Sequence, residues 1–247
     1  MDAVSVIAVI PARYGSSRLP AKALAEIGGV PMVVRVWRQA SKAQSLSRVV
    51  VATDDERIAA PVREAGAEAI MTSPAHLSGT DRIAEVATLI HADLYVNVQG
   101  DLPFIEPADL DALVAPMRAD ETISMATLAT PIIDALEWNN PSVVKVVCGA
   151  DGNALYFSRS PIPYMRDGGM PKQALRHIGV YAYRRDFLLK FAALPEGVLE
   201  RVEKLEQLRA LEHGYTIRVV ASVKPSLEVD TATDLARARD LAADSTR

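Results

Sequence analysis

Residues 6–10, Val-Ile-Ala-Val-Ile, form an unbroken apolar run that stops at Pro11 and gives way to a loop carrying Arg13, Arg18 and Lys22. Apolar residues without alternation are what a strand covered on both faces requires. The same unit then recurs. Residues 4–10, 48–52, 68–71 and 94–98 read as strands; 32–43, 56–65, 80–90 and 107–117 read as helices between and after them. Gly66 is placed to close the second helix, and Pro107 to open the fourth, where a missing N–H costs little. Repeated βα units of this kind predict an α/β fold: a doubly wound, mostly parallel sheet with right-handed crossovers.

The second half changes style. Residues 123–129, 143–148, 154–158 and 178–183 read as strands joined by turns, which points to an antiparallel insertion at about 130–190 within a single 1–247 domain. Residues 166–172 read as a loop. Residues 199–213 read as one helix closed by Gly214, 217–221 as a strand, and 231–243 as a closing helix.

In open α/β sheets ligands bind beyond the carboxyl ends of the strands. Three polar clusters fall at such ends: Arg13, Arg18 and Lys22 after the first strand, Thr53 and Asp54 after the second, and Gln99-Gly100-Asp101 after the fourth. Guanidinium groups bind phosphate oxygens in pairs, an ammonium adds a point charge, and small residues such as Ala12 let backbone N–H groups approach an anion. The loop is neither a Walker A motif nor a G-x-G-x-x-G fingerprint. Asp101 beside such a loop suits Mg²⁺, which takes one or two carboxylates plus phosphate oxygens and water. Asp230 is the candidate second carboxylate. Locally, each aspartate also reads as a helix cap or turn residue.

Other candidates carry bland alternatives. Ser78, Gly79 and Arg82 open a helix and read equally as a capping segment. Period-2 geometry puts His177, Gly179, Tyr181 and Tyr183 on one strand face. Glu203, Glu206 and Gln207 share a helix face at i, i+3 and i+4, and on pattern alone that face is simply solvated.

Net charge is −4, which argues against a nucleic-acid-binding surface. The single cysteine, Cys148, lies in an apolar strand-like run and reads as a small buried hydrophobe, not a nucleophile. No Cys/His grouping suggests zinc. The N-terminal segment lacks a basic signal-peptide region and its apolar run is too short to span a bilayer, so a cytoplasmic location without membrane association is expected.

A resemblance adds to this reading. Ile10-Pro11-Ala12-Arg13-Tyr14, Ser17-Arg18-Leu19-Pro20 with Lys22, Val51-Ala52-Thr53-Asp54, Ser78-Gly79-Thr80-Asp81-Arg82, Val96-Asn97-Val98-Gln99-Gly100-Asp101, Tyr156-Phe157-Ser158-Arg159, Arg176-His177-Ile178-Gly179-Val180-Tyr181, Leu205-Glu206-Gln207-Leu208-Arg209 and Val229-Asp230-Thr231 occur in order over nearly the whole chain. In these motifs the chain resembles the 3-deoxy-manno-octulosonate (Kdo) cytidylyltransferases, a branch of the sugar nucleotidyltransferases with a Rossmann-like fold.

The resemblance implies transfer of CMP from CTP to Kdo, with pyrophosphate released, in lipopolysaccharide biosynthesis. It implies Arg13, Arg18 and Lys22 on the triphosphate, and Ala12, Thr53, Asp54, Ser78, Gly79, Arg82 and Gln99 about the nucleotide. It implies Mg²⁺ on Asp101 and Asp230, and Gln99, Arg159, His177, Tyr181, Glu206 and Gln207 about the sugar. Arg13, Lys22, Asp101 and Asp230 are then the catalytic set. A homodimer built through the antiparallel insertion is implied as well. Leu102 stands where many members carry Glu, which leaves open a related acid sugar, such as 8-amino-Kdo or a neuraminate type. A catalytically silent sugar-nucleotide-binding protein is the alternative from another class.

Overall fold

The computed structural model describes residues 4–15, 19–224 and 226–244. Arg18 lies outside these residues. The chain divides into two compact units, Met1–Asp111 with Pro225–Arg247, and Ala112–Lys224.

The first unit opens with β1 (Val6–Ala12), a near-completely buried strand. A hairpin of two short strands, β2 (Glu26–Ile27) and β3 (Val30–Pro31), follows; Gly28 and Gly29 turn it with φ of 58° and 70°, which side chains rarely adopt. Next come α1 (Met32–Ala40), β4 (Arg48–Thr53), α2 (Glu56–Glu64), β5 (Glu68–Met71), α3 (Gly79–Leu89) and β6 (Leu94–Asn97). Helix α4 (Pro107–Ala119) begins at the expected proline.

The four main strands lie in the order β6-β1-β4-β5, all parallel. Register pairs Ile7 with Arg48 through Ala12 with Thr53, so the carboxyl ends of these strands share one edge of the sheet. Gly66, at φ 83°, follows α2 as expected.

In the second unit β7 (Met125–Pro131) precedes a short α5 (Ala135–Asn139), then β8 (Lys145–Cys148), β9 (Ala154–Ser158) and β10 (Leu175–Arg184). Helices α6 (Arg185–Ala193), α7 (Val198–Glu203) and α8 (Leu208–Glu212) and strand β11 (Arg218–Ala221) complete it. Here β7–β10, β10–β8 and β8–β9 pair antiparallel, while β11 runs parallel to β7. The chain then returns to the first unit as α9 (Ala232–Asp244), whose Leu235, Ala238 and Ala242 pack on Ile27 and Met32.

The expected helix over 199–213 is a correction. The chain forms two short helices separated at Lys204, which takes φ 54°. Glu203 ends α7, while Glu206 and Gln207 lie in the connection, so these three do not share a helix face. The cause is local. Glu200 receives a two-bond fork from Arg209 at 2.8 and 2.6 Å and sets the two helices against each other, while buried Leu205 fills the corner. Strand β10 also exceeds the expected 178–183, because a bulge between Ile178 and Tyr181 interrupts its pattern midway.

Candidate active site

A cavity of about 370 Å³ opens at the carboxyl edge of the parallel sheet. Pro11, Ala12 and Arg13 from the end of β1, Lys22 and Ala23, His76 to Gly79 at the start of α3, Arg82, and Gln99 to Asp101 after β6 line it. Most of the expected nucleotide residues are therefore brought together. Thr53 is fully buried and Asp54 pairs with Arg82 at 3.3 Å; neither lines the cavity.

Tight backbone packing shapes the floor. A Cβ on Gly100 would lie 3.3 Å from the Pro11 carbonyl, and one on Gly79 would lie 3.2 Å from the Pro11 ring, so both positions favour glycine. Ser78 and Asp81 form a reciprocal capping box, each side chain accepting the other's backbone N–H at 3.1 Å. The capping reading of Ser78 thus holds, and the residue lines the cavity as well. Gln99 is steadied by its amide, which donates to Asn97 Oδ1 at 3.2 Å.

The cations differ in their commitments. Arg13 is exposed at the cavity and makes no ion pair among the described residues. Lys22 Nζ instead donates to Asp101 Oδ2 at 2.6 Å and Asp230 Oδ1 at 2.9 Å. Burial alone would lower the Lys22 pKa, but Asp101 and Asp230 overcome it and raise the ammonium above its usual range.

The surroundings of the two aspartates bear on the capping alternative. Thr231 Oγ1 accepts from Asp234 N at 3.2 Å and Asp234 accepts from Thr231 N at 2.8 Å, so Thr231 caps α9. Among the described residues the Asp101 carboxylate takes no backbone N–H; one oxygen meets Lys22 and the other, Oδ1, is buried without a partner. Glu228 was not expected. One carboxylate oxygen from each of Asp101, Glu228 and Asp230 lies within 4.8 Å of the others. Its only sequence signal is its place two residues before Asp230. Hard oxygen donors with an orphaned carboxylate oxygen fit a Mg²⁺ ion.

Of the expected sugar residues Gln99 lies in the first unit, and Arg159, His177, Tyr181, Glu206 and Gln207 lie in the second. Arg159 is held by carbonyls alone: Nε donates to Glu203 O at 2.8 Å and Nη1 to Pro141 O at 3.1 Å. Its backbone N–H donates to the Glu203 carboxylate at 3.0 Å, which also accepts the Ser158 hydroxyl at 2.6 Å. His177 and Tyr181 lie together, ring centroids 5.4 Å apart, as their shared strand face predicts. Burial pushes the His177 imidazole down to about 3, so it is neutral near pH 7. Gln207 is buried and its Nε2 has no partner, an orphaned donor that a ligand oxygen would satisfy. Leu102 is only 3% exposed and does not line the cavity.

Parallel strands that end at a cavity with an uncommitted guanidinium, beside a cluster of carboxylates, describe an α/β protein suited to a phosphorylated ligand. The sequence matches the family described as Cytidylyltransferase over residues 7–217. It is 53% identical over 242 residues to a 3-deoxy-manno-octulosonate cytidylyltransferase from Syntrophotalea carbinolica, covering 95% of this chain and 97% of that protein. It is 51% identical to another of that name from Geobacter metallireducens, covering 94% and 95%. A solved structure of CMP:2-keto-3-deoxy-manno-octonic acid synthetase complexed with CTP superposes with a TM-score of 0.92 at 45% identity, covering 98% of this chain and 99% of that one. A 4-diphosphocytidyl-2C-methyl-D-erythritol synthase from Anaerococcus prevotii, 14% identical at TM-score 0.65, shares the fold. The chain belongs to the 3-deoxy-manno-octulosonate cytidylyltransferase branch of the cytidylyltransferase family.

Proposed function

We propose that this protein transfers CMP from CTP to the anomeric hydroxyl of Kdo, giving CMP-Kdo and pyrophosphate for lipopolysaccharide synthesis. The anomeric oxygen bonds to the α-phosphorus and gives up its proton to solvent, the bond from that phosphorus to the bridging oxygen breaks, and pyrophosphate departs with the electron pair. The carrying observation is the cation-bearing cavity next to the Lys22, Asp101 and Asp230 cluster, in a chain 45% identical to a CTP-complexed synthetase.

Positioning and charge stabilisation are the protein's main contributions to such a transfer. Arg13 and Arg18 offer guanidinium groups to the triphosphate, and Lys22 adds an ammonium at the same edge. Ala12, Ser78, Gly79, Arg82 and Gln99 surround the nucleoside. Thr53 and Asp54 support from behind, since Asp54 orients Arg82. In the second unit Arg159 offers its charge to the sugar carboxylate. His177, Tyr181, Glu206 and Gln207 address the sugar hydroxyls, with the orphaned Gln207 amide in support.

Asp101 and Asp230, with Glu228 adjacent, would hold Mg²⁺. Such an ion makes an α-phosphorus more electrophilic and helps orient an attacking hydroxyl. The burial of Leu102 keeps this departure from the common family pattern out of the cavity, which supports Kdo over a related acid sugar. The second unit exposes the large apolar side chains of Ile133, Leu136, Tyr164 and Val202, which supports assembly as a homodimer. Among the described residues no helix is long and apolar enough to cross a membrane, in keeping with work in the cytoplasm.

The test is pyrophosphate release from CTP and Mg²⁺ with Kdo present or absent. Kdo-dependent release that stops on chelation is expected. No Kdo-dependent release from folded, CTP-binding protein would overturn the proposal and favour another acid sugar or a silent binding protein.

A further inference from the structure

Thr127 lies in β7 opposite the bulge of β10 and is fully buried. On one side of the bulge Ile178 faces Leu128; on the other Tyr181 faces Thr127, so Gly179 and Val180 have no partner in the ladder. The Thr127 hydroxyl fills the gap. Its Oγ1 lies 2.8 Å from Val180 O, 3.3 Å from Ile178 O and 2.9 Å from His177 Nε2.

The donor inventory fixes the direction of these bonds. A hydroxyl has one proton, and carbonyl oxygens only accept. The proton is therefore used on the Val180 carbonyl, the nearer of the two. Toward the imidazole the hydroxyl presents only lone pairs, so Nε2 must carry the hydrogen. In a neutral ring Nδ1 then keeps a lone pair. Burial holds the ring neutral near pH 7. Phe157, edge-on at 5.0 Å, and Tyr181 at 5.4 Å hold its plane. Nδ1 meets no hydrogen-bond partner among the described residues.

We propose that Thr127 is a positioning residue that locks His177 as the Nε2–H tautomer, so that Nδ1 accepts a hydrogen bond from a hydroxyl of the acid sugar. This rests on the assignment of His177 to the sugar made above. It also divides the labour. A lone pair cannot receive a carboxylate, so the sugar's acid group falls to Arg159 and a hydroxyl falls to His177.

The experiment combines ¹⁵N-imidazole NMR of the full chain with steady-state kinetics for Thr127→Val and Thr127→Ser. In the wild type Nε2 should show a protonated-nitrogen shift and Nδ1 a bare-nitrogen shift. Thr127→Val, near in shape but without the hydroxyl, should give mixed tautomers. It should raise the Kdo KM by about tenfold, the loss of roughly one hydrogen bond, with the CTP KM unchanged. Thr127→Ser should restore both readouts. An Nδ1–H tautomer in the wild type would overturn the proposal without any variant, as would a single Nε2–H tautomer persisting in Thr127→Val. A tautomer change with an unaltered Kdo KM would overturn the hydroxyl contact and remove His177 from the sugar site, leaving the CMP-transfer reading intact.

Discussion

Lys145 offers the sharpest test of how the second unit holds Arg159. The side chain is fully buried, and Nζ donates to the carbonyls of Asn140 at 3.0 Å, Val143 at 2.6 Å and Arg159 at 2.6 Å. A neutral amine has only two N–H groups, so three accepting carbonyls require the ammonium. Burial pulls its pKa below the ordinary lysine value, and the nearby Arg159 charge adds to that. Lys145→Met keeps the length and removes all three donors. Hydrogen bonds from a charged group contribute about 1.5–3 kcal/mol each, or roughly 5–9 kcal/mol together. Releasing the buried ammonium's desolvation cost returns several kcal/mol of this. The expected net loss is about 2–4 kcal/mol, or about 5–15 °C in Tm for a chain of this size. Because the Arg159 carbonyl is one of the three acceptors, the Kdo KM should rise while the CTP KM holds. Arg159→Ala should share that kinetic signature with a smaller stability loss. Thermal unfolding with paired KM measurements reads both effects. Unfolding of Lys145→Met within about 2 °C of the wild type, with an unchanged Kdo KM, would refute the reasoning.

Asp101→Asn should lose most turnover while CTP binding falls less, since a metal ligand acts chiefly on the transition state; isothermal titration beside initial rates checks this, and near-normal turnover would exclude Asp101 as a ligand. His177 carries a pH signature. Its folded pKa of about 3 lies below the 6.5 of an ordinary histidine, so the unfolded chain binds more protons between those values. Its contribution to stability is complete above pH 6.5 and is lost as pH falls toward 3, at no more than about 1.4 kcal/mol per pH unit. Denaturant unfolding of wild type and His177→Gln should therefore converge as pH falls from 7 to 4; parallel curves would refute a buried neutral ring.

The parallel half was legible because its central strands are covered on both faces. Such strands must be apolar throughout, and β1, β4 and β6 announce themselves by composition alone. The antiparallel half mixes faces, so β10 showed only part of its length. In the first unit β2 and β3 showed nothing, because two residues are too few to carry a period. The site divides the same way. Clusters at strand ends could be placed on one edge from the βα order. The meeting of Lys22 with Asp101 and Asp230, across 79 and 208 residues, has no local signature: the sequence offered the lysine to phosphate and the two aspartates to a metal, without joining them. Thr127 had no signal at all, since a threonine in a strand is ordinary; only the bulge beside it gives its hydroxyl a task.

The broken helix over 199–213 shows how a helical local pattern can yield to a tertiary contact. In an unbroken helix the Glu203 carbonyl would accept from the Gln207 N–H, four residues on. Here that carbonyl accepts from Arg159 Nε at 2.8 Å, and Lys204 turns the chain away at φ 54°. A left-handed turn at a residue with a Cβ costs about 1–2 kcal/mol. The return is a guanidinium bonded at the end of α7, where unpaired carbonyls carry partial negative charge, and a Glu203 carboxylate free to take Ser158 and the Arg159 N–H. Ending the helix at Glu203 thus fixes Arg159 from both its backbone and its side chain. Among the described residues no carboxylate pairs with the guanidinium itself, so its positive charge is not neutralised there. Periodicity reads only the helix's own hydrogen bonds, and so it cannot see a partner that arrives from β9.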